Sequence, residues 1–171
     1  MAQRFQRCDK ASFLTQGFSP CGHEPIFLNK LSNHCTVLGS ICIMAFFSSR
    51  GRAFNQTRQA YLATALAVAD THWTRLRGLL GLRSSDFRNG SGLWIVPSHG
   101  VHTLGMGFPI DVIYLDRALT VIHIQRELRP WRFAPVRTEA ATVLELPCRT
   151  AAETGTEVGD KIVIMIEEVK K

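Results

Sequence analysis

Apolar residues recur along this chain in short runs broken by turn-forming residues, and the period changes from run to run. Residues 61–70, Tyr-Leu-Ala-Thr-Ala-Leu-Ala-Val-Ala-Asp, are apolar almost throughout. They predict a first strand packed on both faces, with a helix as the competing reading. Trp73, Leu76, Leu79 and Leu80 then fall at helical spacing behind Asp70 or Thr71, either of which can cap a helix over Thr71–Leu82. Gly78 and Gly81 keep that helix short. The stretch 84–92, rich in Ser, Asp, Asn and Gly, reads as a loop.

Beyond it, Gly92–Val96, Val101–Gly105, Ile110–Leu115 and Thr120–Ile124 have strand character, the last two joined by a hairpin at 116–119. Ala141–Leu146 and Ile162–Ile166 complete the set, after a Pro/Arg/Trp loop over 126–137 and a polar connection over 151–159. About seven short strands with one principal short helix predict an α+β fold, predominantly β: a compact barrel-like or strongly curved sheet.

The first fifty residues carry no such pattern. Segment 1–34 follows neither period 3.6 nor period 2 and predicts little stable structure. The thirteen-residue apolar run Cys35–Phe47 rises 1.5 Å per residue as a helix, too short for a hydrocarbon core of about 30 Å, so no firm membrane span is expected. With Lys30 before it and Ser48 after it, the run also fits the apolar region of a secretory signal, although no Ala-x-Ala site precedes Arg50. A third reading starts the biological chain at Met44. Residues 1–53 are thus expected to be a poorly ordered extension or a signal or upstream segment, and 54–171 the single domain. Location follows the same fork: cytoplasmic if translation starts at Met44, exported or membrane-anchored if Cys35–Phe47 acts as a signal.

The chain of 171 residues carries a net charge of +6. Six Lys or Arg against Asp9 and Glu24 place +4 of that within 1–53, leaving +2 for 54–171. A nearly neutral domain without a basic stripe argues against nucleic-acid binding. Cys8, Cys21, Cys35 and Cys42 precede the domain and Cys148 alone lies within it, so no disulfide framework or zinc spacing is present there.

The stretch Ser98–Asp116 sets polar chemistry among apolar residues. Asp111 lies inside a strand-like run, where a buried carboxylate needs His102, Thr103, Arg77 or backbone N–H groups as partners. His99 and His102 point to opposite faces of an extended chain unless Gly100 turns it. Met106, His123 and Asp111 add possible ligands, but the spacing matches no metal motif and no cofactor is expected. Glu145, between Leu144 and Leu146, faces away from both; it suits an ion pair with Arg77 or Arg132, or acid/base work beside Asp111. Trp131 between Pro130 and Arg132 fits either a binding-loop anchor or a cap on one end of the sheet. These residues predict a cleft for a small ligand or a protein, lined by His102, Met106, Asp111 and Trp131. The alternative is a metal-assisted or acid/base hydrolase built on the His99, His102 and Asp111 region, with Glu145. Ser98 and Thr103 lack the context of an activated nucleophile, so no catalytic residue is assigned, and the residues specify no oligomeric state.

Several pieces occur in one order: Arg77-Gly-Leu-Leu-Gly81, Gly92-Leu-Trp-Ile95, His102-Thr-Leu-Gly-Met106, Pro109-Ile-Asp-Val-Ile-Tyr-Leu-Asp116, Pro130-Trp-Arg132, Val143-Leu-Glu-Leu146 and Val158-Gly-Asp160. Over roughly residues 58–166 the ordered set resembles the prokaryotic family called domain of unknown function 192. The resemblance implies a small β-rich fold and no catalytic residues. Many relatives carry an aromatic residue near His102 and an Asn-Thr pair near Gly107-Phe108, where this sequence has its own variant.

Overall fold

The computed structural model describes residues 49–167. The apolar run Cys35–Phe47, Met44 and the rest of segment 1–48 lie outside the described residues, as do 168–171. The elements are β1 (Arg50–Asn55), β2 (Ala60–Ala69), α1 (His72–Arg77), β3 (Ser91–Ile95), β4 (Ile110–Leu115), β5 (Val121–Leu128), β6 (Thr142–Pro147), α2 (Thr150–Glu153) and β7 (Ile162–Glu167). The strands form one seven-stranded sheet in the order β5-β4-β6-β3-β2-β1-β7. β2 and β3, joined through α1, pair in parallel, and the other neighbours are antiparallel. The two edge strands approach at one end, where Val121 N–H donates to Asp160 O at 2.9 Å and Ile162 N–H to Leu119 O at 2.9 Å. A sheet whose edges touch there is strongly curved without being a closed barrel.

Side chains alternate between two apolar clusters, one on each face. On β4, Ile110, Val112 and Tyr114 enter the first cluster and Ile113 and Leu115 the second. Burial on both faces explains why this run is apolar without a break. On β6, Val143 belongs to the first cluster, and Leu144 and Leu146 to the second. Neighbouring strands crowd Gly92 at the start of β3: a Cβ there would meet Ala63 Cβ at 2.8 Å and Leu146 Cδ2 at 3.2 Å. Gly92→Ala is therefore expected to destabilise the fold by about 1–3 kcal/mol through overpacking. The urea midpoint measures this, and an unchanged midpoint would contradict the packing assigned to that position.

Four expectations change in detail. β1 begins at Arg50, so strand pairing crosses the expected boundary between 53 and 54. The helix ends at Arg77 instead of Leu82, because Gly78 adopts φ 48° while its N–H closes the last turn on Thr74 O. Val101–Gly105 is not a strand of the sheet. Its backbone instead pairs with the 131–137 loop: Thr103 N–H donates to Arg132 O at 2.8 Å, Trp131 N–H to Thr103 O at 2.9 Å and Ala134 N–H to Val101 O at 2.9 Å. The polar connection expected over 151–159 contains α2 at its start.

Candidate functional site

Thr71 sets the position of α1. Its Oγ1 accepts from Thr74 N–H at 3.2 Å and its own N–H donates to Thr74 Oγ1 at 3.0 Å, a reciprocal cap on the first turn. The helix is too short to bury a face of its own, and none of its residues is buried. Leu79, in the turn that follows, enters the first cluster, whereas Trp73 and Leu76 are 80% and 62% exposed. The apolar stripe of the helix therefore faces outward. Arg75 ties α1 to the end of β3: its Nη1 donates to Val96 O at 3.3 Å, and its Nη2 lies 3.0 Å from His72 Nδ1. Opposite, the Leu80 side chain fills the space where a Cβ on Gly105 would sit.

A cavity of about 300 Å³ lies between α1, its following turn and the 97–106 segment. Leu79, Ile95, Val101 and Met106 supply much of its apolar wall, while Arg75, Arg77, Ser98, His102 and Glu145 supply its polar groups. Glu145 comes from the middle of the sheet, paired in register with Leu93 on β3 and Val112 on β4. By alternation it shares a face with Val143 and so projects into the first apolar cluster. It is 2% exposed, and its Oε2 has no hydrogen-bond partner. Burial pushes its carboxyl from the ordinary value of 4.5 up to about 8, because an unpaired charge is poorly tolerated in an apolar setting. Gly78 stands over this carboxyl, and a Cβ at that position would lie 4.0 Å from Oε2. His102 also lines the cavity, half-buried, with Nδ1 unpartnered and its ring edge against Phe133.

Of the four residues expected to line one cleft, His102 and Met106 do so together. Asp111 lies elsewhere and is fully buried; its Oδ1 accepts from Glu127 N–H and its Oδ2 from Ala151 N–H, both at 2.9 Å. Trp131 is 64% exposed and outside the cavity lining, although its backbone joins the histidine segment through Thr103. Thr103 holds that junction in place: its hydroxyl donates to Arg129 O at 2.7 Å and accepts from Arg132 N–H at 2.9 Å.

Of the four residues of the hydrolase alternative, His102 and Glu145 line one cavity and the other two lie elsewhere. His99 places Nδ1 2.6 Å from Ala140 O and borders a different concavity, beside Arg117 and Glu139. His102 lines the cavity beside α1, and Asp111 is the buried backbone acceptor just described. His123 packs against Tyr114 and lies 3.4 Å from Arg137 Nη2. Burial, with the charge of Arg137, lowers its pKa. Among the described residues, no three His, Cys, Asp or Glu side chains form a group suited to a metal ion. No helix among them is long and apolar enough to cross a membrane. Cys148 is a free thiol whose pKa burial raises, the opposite of what an activated nucleophile needs.

Spacing along the chain gives Arg75 and Gly78 no role in the site and marks Glu145 only as an acid/base or ion-pair residue. The signal that does exist is the Leu144-Glu145-Leu146 alternation, which puts an acid on an inward position of a doubly buried strand.

Comparison with known proteins agrees with the resemblance read from the sequence. The family model of domain of unknown function 192, described as an uncharacterized ACR, matches residues 53–164, a range that contains every residue lining the cavity. A UPF0127 protein of Thermococcus sibiricus is 30% identical over 119 residues, covering 67% of this chain and 75% of its own length. The crystal structure of a protein of unknown function from Novosphingobium aromaticivorans aligns with TM-score 0.58 at 18% identity, over 67% of this chain and 83% of that one. Another, from Sinorhizobium meliloti and described provisionally as a transcription regulator, aligns with TM-score 0.57 at 20% identity, over 68% and 92%. At these identities the two structures are alike in fold alone.

Proposed function

Given that this chain belongs to the domain of unknown function 192 family, whose function is uncharacterised, we propose that it is a small-molecule-binding domain with its site in the cleft between α1 and the 97–106 segment. The observation that carries this reading is a pair of buried polar atoms, Glu145 Oε2 and His102 Nδ1, both unpartnered and both on residues that line one cavity. Buried polar groups in proteins are nearly always hydrogen-bonded, and leaving one unpaired costs about 1–3 kcal/mol. Two such groups on one concave apolar surface have the form of a site that a polar ligand completes. Its volume, about 300 Å³, falls at the small end of ligand pockets.

Arg75 and the capped first turn of α1 support the reading from the packing side, since they hold one wall of the cleft against β3 without filling it. The function proposed is binding, with no reaction assigned. Screening a small-molecule library by amide chemical shifts is expected to give hits that move Gly78, Leu79, Val101 and His102 together. Leu104→Trp, which places an indole at the cavity wall, should weaken those hits at least tenfold. Hits that cluster away from the cleft, or that bind the Leu104→Trp protein equally well, would overturn the reading.

A further inference from the structure

We infer that the ligand of this cleft is a small monocarboxylate with an apolar body, its carboxylate seated against Glu145 and His102 within the field of Arg75 and Arg77. The inference rests on the cleft being a ligand site and adds the chemical class that enters it. Charge comes first: the cavity lining holds two guanidinium groups and a single carboxyl, that of Glu145. With its pKa at about 8, this carboxyl is protonated at neutral pH and presents an O–H donor instead of a negative charge. The charged or titratable groups that line the cavity with it are Arg75 and Arg77 from α1 and His102 from the segment after β3, and Tyr114 from β4 interacts with it electrostatically. Burial raises the pKa of Tyr114, so it adds no negative charge at neutral pH.

A cationic ligand would meet both arginines, and its counter-ion would have to lose a proton among apolar side chains. A dianion such as phosphate would give up more hydration than one O–H, one imidazole and two guanidinium groups restore. A monocarboxylate fits between these limits. It accepts a charge-assisted hydrogen bond from the Glu145 acid, and the two unpartnered atoms, Glu145 Oε2 and His102 Nδ1, gain a partner in one event. Arg75 is already held by Val96 O, so little side-chain ordering accompanies binding. The remaining wall, including Leu79, Ile95, Val101 and Met106, suits a short aliphatic or aromatic body.

The test titrates the labelled full chain separately with sodium hexanoate, hexylamine, hexanamide and inorganic phosphate, following the amides of Gly78, Leu79, Val101 and His102. Hexanoate is expected to bind at least tenfold tighter than the other three at pH 7. Its affinity should fall about tenfold per pH unit above pH 8, because binding must then return a proton to Glu145. Glu145→Gln should flatten that profile whatever affinity it retains. Arg75→Gln and Arg77→Gln should each weaken hexanoate several-fold more than hexanamide. Amine, amide or phosphate binding as tightly as hexanoate at these amides would overturn the carboxylate class while leaving the cleft a binding site. A pH-independent hexanoate affinity would also overturn the class. If none of the four compounds moves these amides, the carboxylate class fails, and the library screen with Leu104→Trp separately decides the cleft reading.

Discussion

Asp111→Ala is expected to destabilise the protein by about 3 kcal/mol, because it leaves one buried and one part-buried backbone donor without their acceptor. The carboxylate is fully buried and accepts from Glu127 N–H and Ala151 N–H, one on each oxygen. Both donors need it for local reasons. Glu127 has φ 50° and lies where the register of β5 against β4 slips between the Ile110–Leu128 and Val112–Gln125 pairs, so its N–H is turned out of the ladder. Ala151 is in the first turn of α2, whose N-cap Arg149 makes no side-chain cap bond; Asp111 caps that helix from a neighbouring strand. Asp111→Asn should fall between wild type and Asp111→Ala, since its amide offers one carbonyl acceptor and turns an N–H toward the other donor. Urea unfolding followed by circular dichroism measures both variants. An alanine variant within 0.5 kcal/mol of wild type would show that neither backbone group depends on the carboxylate.

The same residue shows why the fold is more legible in the chain than the site. Strands with large inward side chains announce themselves: the apolar run Ile110–Leu115 has the bounds of β4, and Tyr61–Asp70 differs from β2 by one residue at each end. β1 leaves no such signal, because its fully buried positions are Gly51, Ala53 and Asn55, small or polar residues between exposed arginines. Val101–Gly105 misleads in the opposite direction. Its β-branched Val101 and Thr103 give it strand character, but its hydrogen bonds go to another loop. The site depends on which polar residues a three-dimensional turn brings together, and spacing along the chain does not carry that. Asp111 and Glu145 both interrupt apolar strands, and sequence alone gives them the same appearance. Backbone N–H groups from β5 and α2 satisfy the first, whereas the second projects under Gly78 with an oxygen unpartnered.

That difference makes Glu145 the residue through which pH should act most strongly on stability. Unfolded, its carboxyl ionises near the ordinary 4.5; folded, burial pushes it to about 8. Because the folded pKa is raised, the folded state retains the proton longer, and the group's stabilising contribution is complete below pH 4.5. It is lost progressively between about pH 4.5 and 8 as the unfolded chain gains by ionising. Linkage puts the loss on the order of 4 kcal/mol by pH 8, an upper bound because water entering the cleft would soften it. Asp160 acts at the other end of the scale. Burial raises its pKa, but hydrogen bonds from Asn55, Glu157 N–H and Arg58, with the Arg58 charge, outweigh that and hold it below the ordinary 3.8. Its contribution is present above the unfolded value and disappears as pH falls through the folded one, outside the window in which Glu145 titrates. Glu145→Gln keeps the shape and removes the titration. It is expected to match wild type below about pH 4.5 and to exceed it by roughly 3 kcal/mol at pH 8. The two proteins differ at this one side chain, so the difference between their urea-unfolding curves reports on this carboxyl. Parallel pH profiles for wild type and Glu145→Gln would mean that Glu145 ionises in the folded state much as it does in water. A stability gain on neutralising the acid would instead identify Glu145 as a destabilising group at a site of function, as expected where a buried polar atom awaits a ligand.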